Sequence, residues 1–195
     1  MFGKKNNIKV PVEISARHCH LSQQDLEKLF GVGYKLKKLR QLSQPSDFAA
    51  EETVDIQFGS KRIEKVRVVG PLRSQTQVEI SLTDAVGSGI VLPIRLSGDL
   101  KNSSPVNIFG PKGAISLPEG LIVALRHIHC ATDEAVKLGL KNGVKVSVLV
   151  NGDRPVEFED VSVRVGNNYK LCMHLDADEG NAAGINKIGE GFLIK

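Results

Sequence analysis

A duplicated phrase constrains this chain more than any other feature. Arg17-His18-Cys19-His20 leads into Leu21-Ser-Gln-Gln-Asp-Leu-Glu-Lys-Leu-Phe-Gly31, and Arg126-His127-Ile128-His129 leads into Cys130-Ala-Thr-Asp-Glu-Ala-Val-Lys-Leu-Gly139. His127 follows His18 by 109 residues, and the two pairs account for four of the five histidines. In extended backbone the side-chain period is two, so both imidazoles of a pair leave the same face. Neutral imidazole is among the commonest ligands of zinc and related ions. Two matching His-x-His segments, each followed by a capped helix, therefore predict a duplicated β-unit that contributes a metal-binding arm from each copy.

The rest of the chain reads as β-structure. Ile8–Ile14, 53–58, 63–69, 76–82, 113–117, 144–150, 161–165 and 170–175 alternate or nearly alternate apolar with polar residues, with Gly, Asn, Asp and Pro turns between them. Short strands so spaced belong to barrels or sandwiches. The two clearest helices follow the histidine pairs, with Ser22 and Thr132 as N-cap candidates and Gly31 and Gly139 as stops. A third short turn starts near Thr83. The residues therefore predict a mainly β fold of two related β-domains, barrels or sandwiches, with short capping helices.

Composition excludes several classes. With 195 residues the chain forms one medium or two small domains, and with no Trp the core falls to Val, Ile and Leu. No apolar run is long enough for a bilayer, and the start shows no signal-peptide pattern. Three cysteines, an odd count, argue against a disulfide framework and fit a reducing compartment. A net charge of +4 without a Lys/Arg block gives no nucleic-acid arm. Neither nucleic acid nor membrane is an expected partner.

Candidates to complete a metal site are His174, in a strand-like run, and Glu79, facing opposite to Val78 and Ile80. As bare residues they also read as an edge-strand histidine and, for Glu79 above all, a carboxylate pointing at solvent. Cys19 points away from His18 and His20 and reads as a core residue, whereas Cys172 shares the face of His174. Asp176, Asp178 and Glu179 read as turn formers. Arg73, in Val-Gly70-Pro-Leu-Arg-Ser74, could grip phosphate with two parallel hydrogen bonds or lie on the surface. Ser97-Gly98-Asp99 is a turn of the kind that lines sites, without being a Walker loop.

Val-Pro-Val-Glu-Ile-Ser-Ala-Arg-His-Cys-His-Leu-Ser, Val-Val-Gly-Pro-Leu-Arg-Ser-Gln-Thr-Gln-Val-Glu-Ile-Ser, Arg-His-Ile-His and His-Leu-Asp-Ala-Asp-Glu-Gly-Asn-Ala-Ala resemble the PduL-type phosphate propanoyltransferases, or phosphotransacylases, from about Ile8 to Ile185. The resemblance implies a cytoplasmic enzyme that interconverts a short-chain acyl-CoA and inorganic phosphate with acyl phosphate and CoA. It implies two zinc ions per chain, one held by His18, His20 and Glu79, the other by His127, His129 and His174. Arg73 falls on the phosphate-binding arginine and Ser97 on a serine beside it. Ser15, Arg40, Arg67, Val69 and Asn181 fall on coenzyme A contacts. The resemblance also implies a mainly β fold of two β-barrel domains with short capping helices and a metal site between them, one discontinuous barrel of residues 1–16 plus 125–195 and a second of 17–124, and a homodimer would fit.

The matched strand begins at about Ile8, which leaves no room for the N-terminal extension of microcompartment-targeted members and favours the cytosol. The expected mechanism is direct attack of metal-bound phosphate on the thioester, without an acyl-enzyme. The alternative chemistry is a dinuclear-metal phosphoester hydrolase. A zinc-stabilised binding module would be expected to use closed four-ligand sites, commonly with thiolates.

Overall fold

The computed structural model describes residues 8–194. Its first elements are β1 (Ile8–Ile14), β2 (His18–His20), α1 (Gln23–Phe30), β3 (Lys38–Gln41), β4 (Phe48–Phe58), β5 (Lys61–Gly70), β6 (Gln77–Glu79), α2 (Leu82–Ala85) and β7 (Ile94–Arg95). They are followed by β8 (Ser104–Phe109), β9 (Ala114–Ala124), β10 (His127–Cys130), α3 (Thr132–Leu138), β11 (Lys145–Val150), β12 (Val156–Val165), β13 (Cys172–Leu175), α4 (Ala177–Ala182) and β14 (Ile188–Ile194). The chain divides into two compact units. One holds the described residues up to Ser15 together with those from Leu125 onward; the other is Ala16–Ala124.

In the first unit six strands close in the order β1-β13-β10-β12-β11-β14, with β14 returning to β1. In the second, β4-β5-β2-β6-β9-β8 makes a ring because β8 pairs with both β9 and β4. Strands β3 and β7 attach outside that ring, on β4 and β9. Closure removes the free edges that an open sheet would expose. The chain adopts the mainly β fold with few short helices that the alternation predicts, and its two barrels are those the family resemblance implies.

The pairings match strand for strand. Each His-x-His strand runs parallel to one neighbour and antiparallel to the other: β10 with β12 and β13, β2 with β5 and β6. Likewise β13 runs parallel to β1 as β6 does to β9. The duplication read in the sequence is thus a duplication of barrel topology.

Alternation builds each core. On β1, Val10 and Val12 are buried while Lys9 and Pro11 face solvent; on β4, Val54, Ile56 and Phe58 turn inward. Ile128, Met173 and Leu175 fill the first barrel and Val68, Val78 and Leu121 the second, all essentially inaccessible. Burying a side chain of this kind contributes about 1.5–3 kcal/mol before chain entropy is counted.

Local chemistry sets the helices. Ser22 caps α1 by accepting the Asp25 amide at 3.2 Å, and Gly31 ends it. Thr132, expected at the N-cap of α3, is instead its first residue: Ala131 holds the cap position and its amide goes to the Glu134 carboxylate at 3.1 Å. The Thr132 hydroxyl is engaged by Asn167 at 2.7 Å. Gly139 closes α3 at φ 64°, a left-handed conformation that suits glycine. Strand β6 is shorter than the alternation over 76–82 predicts, because Ser81 caps α2. Asp176 and Glu179 form a capping box on α4, so the segment expected to be a turn is a short helix. Among the described residues no helix is long and apolar enough to cross a membrane.

Candidate functional site

Strand β2 is too short to carry a core of its own, yet its side chains are fixed by three contacts. Cys19 faces inward and is fully buried, so His18 and His20 share the opposite face. His18 Nδ1 donates to the Ala16 carbonyl at 2.9 Å, and His20 Nδ1 donates to the Val69 carbonyl at 3.0 Å. A carbonyl only accepts, so each Nδ1 carries a proton, and in its neutral form each ring presents a bare Nε2 lone pair. Those two Nε2 atoms lie 3.1 Å apart. Glu79, directly opposite His18 in the β2–β6 pair, places Oε2 3.6 Å from His18 Nε2.

Two lone pairs and a carboxylate converging in this way repel one another unless a cation lies among them. Around zinc at about 2.0–2.1 Å, tetrahedral donors would stand about 3.3 Å apart. The observed separations bracket that value, and all three donor atoms lie within 4.8 Å of one another. The residues fit a divalent cation.

Electrostatics agree with the geometry. Burial above all, with the neighbouring His18 ring and the Arg73 guanidinium, holds the His20 imidazole well below its ordinary range, against the opposing pull of Glu79 and the Val69 carbonyl. Burial disfavours the charge on Glu79, but His18, His20, the Ser97 hydroxyl and Arg73 outweigh it and hold the carboxyl below its ordinary range. A neutral imidazole and an ionised carboxylate are the forms that ligate metals.

The second oxygen of Glu79 is tied elsewhere. Ser97 donates its hydroxyl to Glu79 Oε1 at 2.7 Å and accepts from Arg73 Nη1 at 2.9 Å. Arg73 is held by its own backbone, whose amide donates to the Leu21 carbonyl at 2.9 Å. Arg73, Ser97 and Glu79 therefore form one chain of contacts ending at the two histidines.

In the other unit His127, His129 and His174 also gather, with ring centroids 4.7, 5.0 and 5.3 Å apart. His127 Nδ1 donates to the Leu125 carbonyl at 2.9 Å, repeating the His18 arrangement. His129 stacks on Tyr169 at 4.1 Å. His174 lies on β13 between β1 and β10, inside the sheet and not at an edge. Glu13 Oε2 stands 4.0 Å from His174 Nδ1, and the donor atoms of Glu13, Cys172 and His174 form a second compact group.

The remaining expected residues fall in both units. Arg67 on β5 is in parallel register with His18, and its Nη1 donates to the Ala50 and Glu51 carbonyls at 3.0 and 2.8 Å. Arg40 is exposed on β3 beside Ala49, whose other neighbour is Val69; the Val69 carbonyl holds His20. Ser15 follows β1, with its amide on the Leu175 carbonyl at 2.8 Å, and Asn181 is exposed on α4.

Sequence reasoning passed over Gln77 and Glu13. Gln77 precedes Glu79 by two on a strand and so shares its face, a signal that period two could have supplied. Glu13 is aligned with His174 by the parallel β1–β13 register, which no local pattern encodes.

Two six-stranded barrels of one topology, each turning a His-x-His strand toward a third donor, define a double-barrel protein with duplicated imidazole-rich clusters. The phosphate propanoyltransferase family model matches residues 11–186, and the chain belongs to that family. It is 51% identical over 189 residues to a phosphate propanoyltransferase of Priestia megaterium, covering 97% of this chain and 87% of that one. A phosphate propanoyltransferase of Lachnoclostridium phytofermentans is 49% identical, over 93% of this chain and 85% of that one. One from Thermotoga maritima is 47% identical, over 90% and 84%.

Proposed function

We propose that this protein transfers a short acyl group between coenzyme A and inorganic phosphate, by direct attack of phosphate on the thioester. The observation that carries this reading is the continuous chain from Arg73 through Ser97 to Glu79, His18 and His20. It sets an anion-binding cation beside a metal-ready donor set.

His18, His20 and Glu79 would hold one ion and His127, His129 and His174 another, with zinc the choice that imidazole-rich sets favour. The ions, when bound, supply Lewis-acid charge that neutralises phosphate and the charge developing on the carbonyl oxygen. The chain's own residues do the rest. Arg73 presents a planar guanidinium suited to two phosphate oxygens, and Ser97 fixes it in place. Holding phosphate against a bound thioester could contribute up to about 7–11 kcal/mol by orientation alone.

In the forward step a phosphate oxygen bonds to the carbonyl carbon, the carbon–sulfur bond breaks, and the phosphate proton passes to the departing thiolate. A thiol ionises near pH 8.5, so no strong general acid is needed. Ser15, Arg40, Arg67, Val69 and Asn181 are the proposed coenzyme A contacts. The three cysteines, all unpaired and buried, support placement in a reducing compartment.

The test is thiol release from acetyl-CoA and propanoyl-CoA by metal-analysed protein, with and without phosphate. Release that requires phosphate and is lost in His127→Ala is the expected result. Release without phosphate would mean a thioesterase. Failure of release, with cleavage of a phosphoester, would favour the hydrolase.

A further inference from the structure

Gln77 is 1% exposed, carries no charge, and nevertheless sits among the groups assigned above to metal and phosphate. Its side-chain amide donates to Glu79 Oε1 and, at 3.1 Å, to Ser97 Oγ. Its carbonyl oxygen accepts the Gly98 amide at 2.8 Å. One side chain thus joins a strand residue, Glu79, to the loop that carries Ser97, and through Ser97 to Arg73.

We infer that Gln77 is the positioning residue that makes Glu79 a one-oxygen metal donor and sets Ser97 for Arg73. With Oε1 receiving both the Gln77 amide and the Ser97 hydroxyl, Glu79 turns only Oε2 toward His18. Ser97 has one proton, which goes to Glu79, so its lone pairs remain for Arg73 and Gln77. The duplication sharpens the point. In the β2–β6 pair His20 faces Gln77, and in the β10–β13 pair His129 faces Cys172. Cysteine cannot supply two strong donors to a neighbour. Gln77 therefore marks the barrel of Ala16–Ala124 as the half whose third ligand is linked to an anion-binding arginine.

This role rests on the ligand assignment proposed above, and the experiment separates the two. In a His127→Ala, His174→Ala background, which disables the histidine cluster and the Glu13, Cys172 and His174 group and leaves the His18, His20 and Glu79 set intact, zinc affinity is measured by competition with a chromophoric chelator. The measurement is repeated with Gln77→Met and Gln77→Leu added, two apolar replacements of similar bulk, each checked for folding by its melting curve. Loss of an outer partner of a metal ligand weakens binding by about 10–100-fold, and that is the expected result for whichever variant folds. In the otherwise unaltered chain the same substitutions should raise the phosphate KM while leaving the acyl-CoA KM unchanged. Unchanged zinc affinity in a folded Gln77 variant overturns the inference with the ligand assignment intact. A folded His127→Ala, His174→Ala parent that binds no zinc overturns both.

Discussion

Glu79 and His174 occupy the same place in two barrels. Glu79 faces His18 across β2–β6, and His174 faces His127 across β10–β13. Both follow by two residues a side chain that faces the second histidine of the pair, and both precede by two the N-cap of a short helix, Ser81 or Asp176. One lattice position is filled by a carboxylate in one copy and by an imidazole in the other.

That equivalence predicts a graded response at position 79. Glu79→His should retain the ion after dialysis, because a histidine already stands at this position in the other barrel. Glu79→Ala should lose about one ion per chain. Metal analysis of the dialysed proteins decides it; identical metal content in all three would remove Glu79 from the ligand set.

Arg73→Lys keeps the charge and discards the planar fork. Losing a hydrogen bond to a charged partner removes about 1.5–3 kcal/mol, so kcat/KM for phosphate should fall by about 10–150-fold. The acyl-CoA KM should hold steady. A variant as active as the parent at limiting phosphate would show that Arg73 does not receive that anion.

The arginine that opens each duplicated phrase binds the third residue of a capped helix: Arg17 to Asp84 at 3.2 Å and Arg126 to Glu179 at 2.8 Å. The two pairs differ in exposure. The Arg17 side chain is 49% accessible, against 30% for Arg126, which also donates Nε to the Glu159 carbonyl. Arg126→Ala should destabilise by about 1–3 kcal/mol, since it leaves the Glu179 carboxylate short of a partner. Arg17→Ala should fall within about 1 kcal/mol. Urea unfolding ranks them, and a larger loss for Arg17→Ala would contradict the ordering.

The thiols give stability a pH dependence. Burial, joined by Asp25, pushes Cys19 far up; burial with Glu134 and Asp133 pushes Cys130 up to about 11. Burial with Glu13, against Lys170, pushes Cys172 up to about 12. In the unfolded chain these thiols ionise near pH 8.5. The folded protein keeps its full stability below that pH and loses it as the pH rises toward the folded values, because the unfolded state releases protons first. Melting temperatures of metal-free protein should be level to about pH 8.5 and then decline, less steeply in Cys130→Ala. Rapid reaction of all three thiols with Ellman's reagent in native buffer would show that they are not shielded as described.

Much of this molecule is written locally. The alternation of Ile8–Ile14, the caps at Ser22 and Gly31, and the shared face of each His-x-His pair follow from backbone period and short-range hydrogen bonding, which a linear sequence displays. The duplicated phrase likewise announced two related β-units. Thr132 stands one residue inside its helix, with its hydroxyl on Asn167, a partner far along the chain. The tertiary structure alone decided the rest. Strand registers set Glu79 against His18 and Glu13 beside His174. Ring closure through β8 made the second barrel. The contacts of Gln77 with Glu79, Ser97 and Gly98 join a strand to a loop. Each of these depends on pairing between segments far apart in the chain, where the energy lies in which strand meets which and at what register, and no local pattern carries that choice.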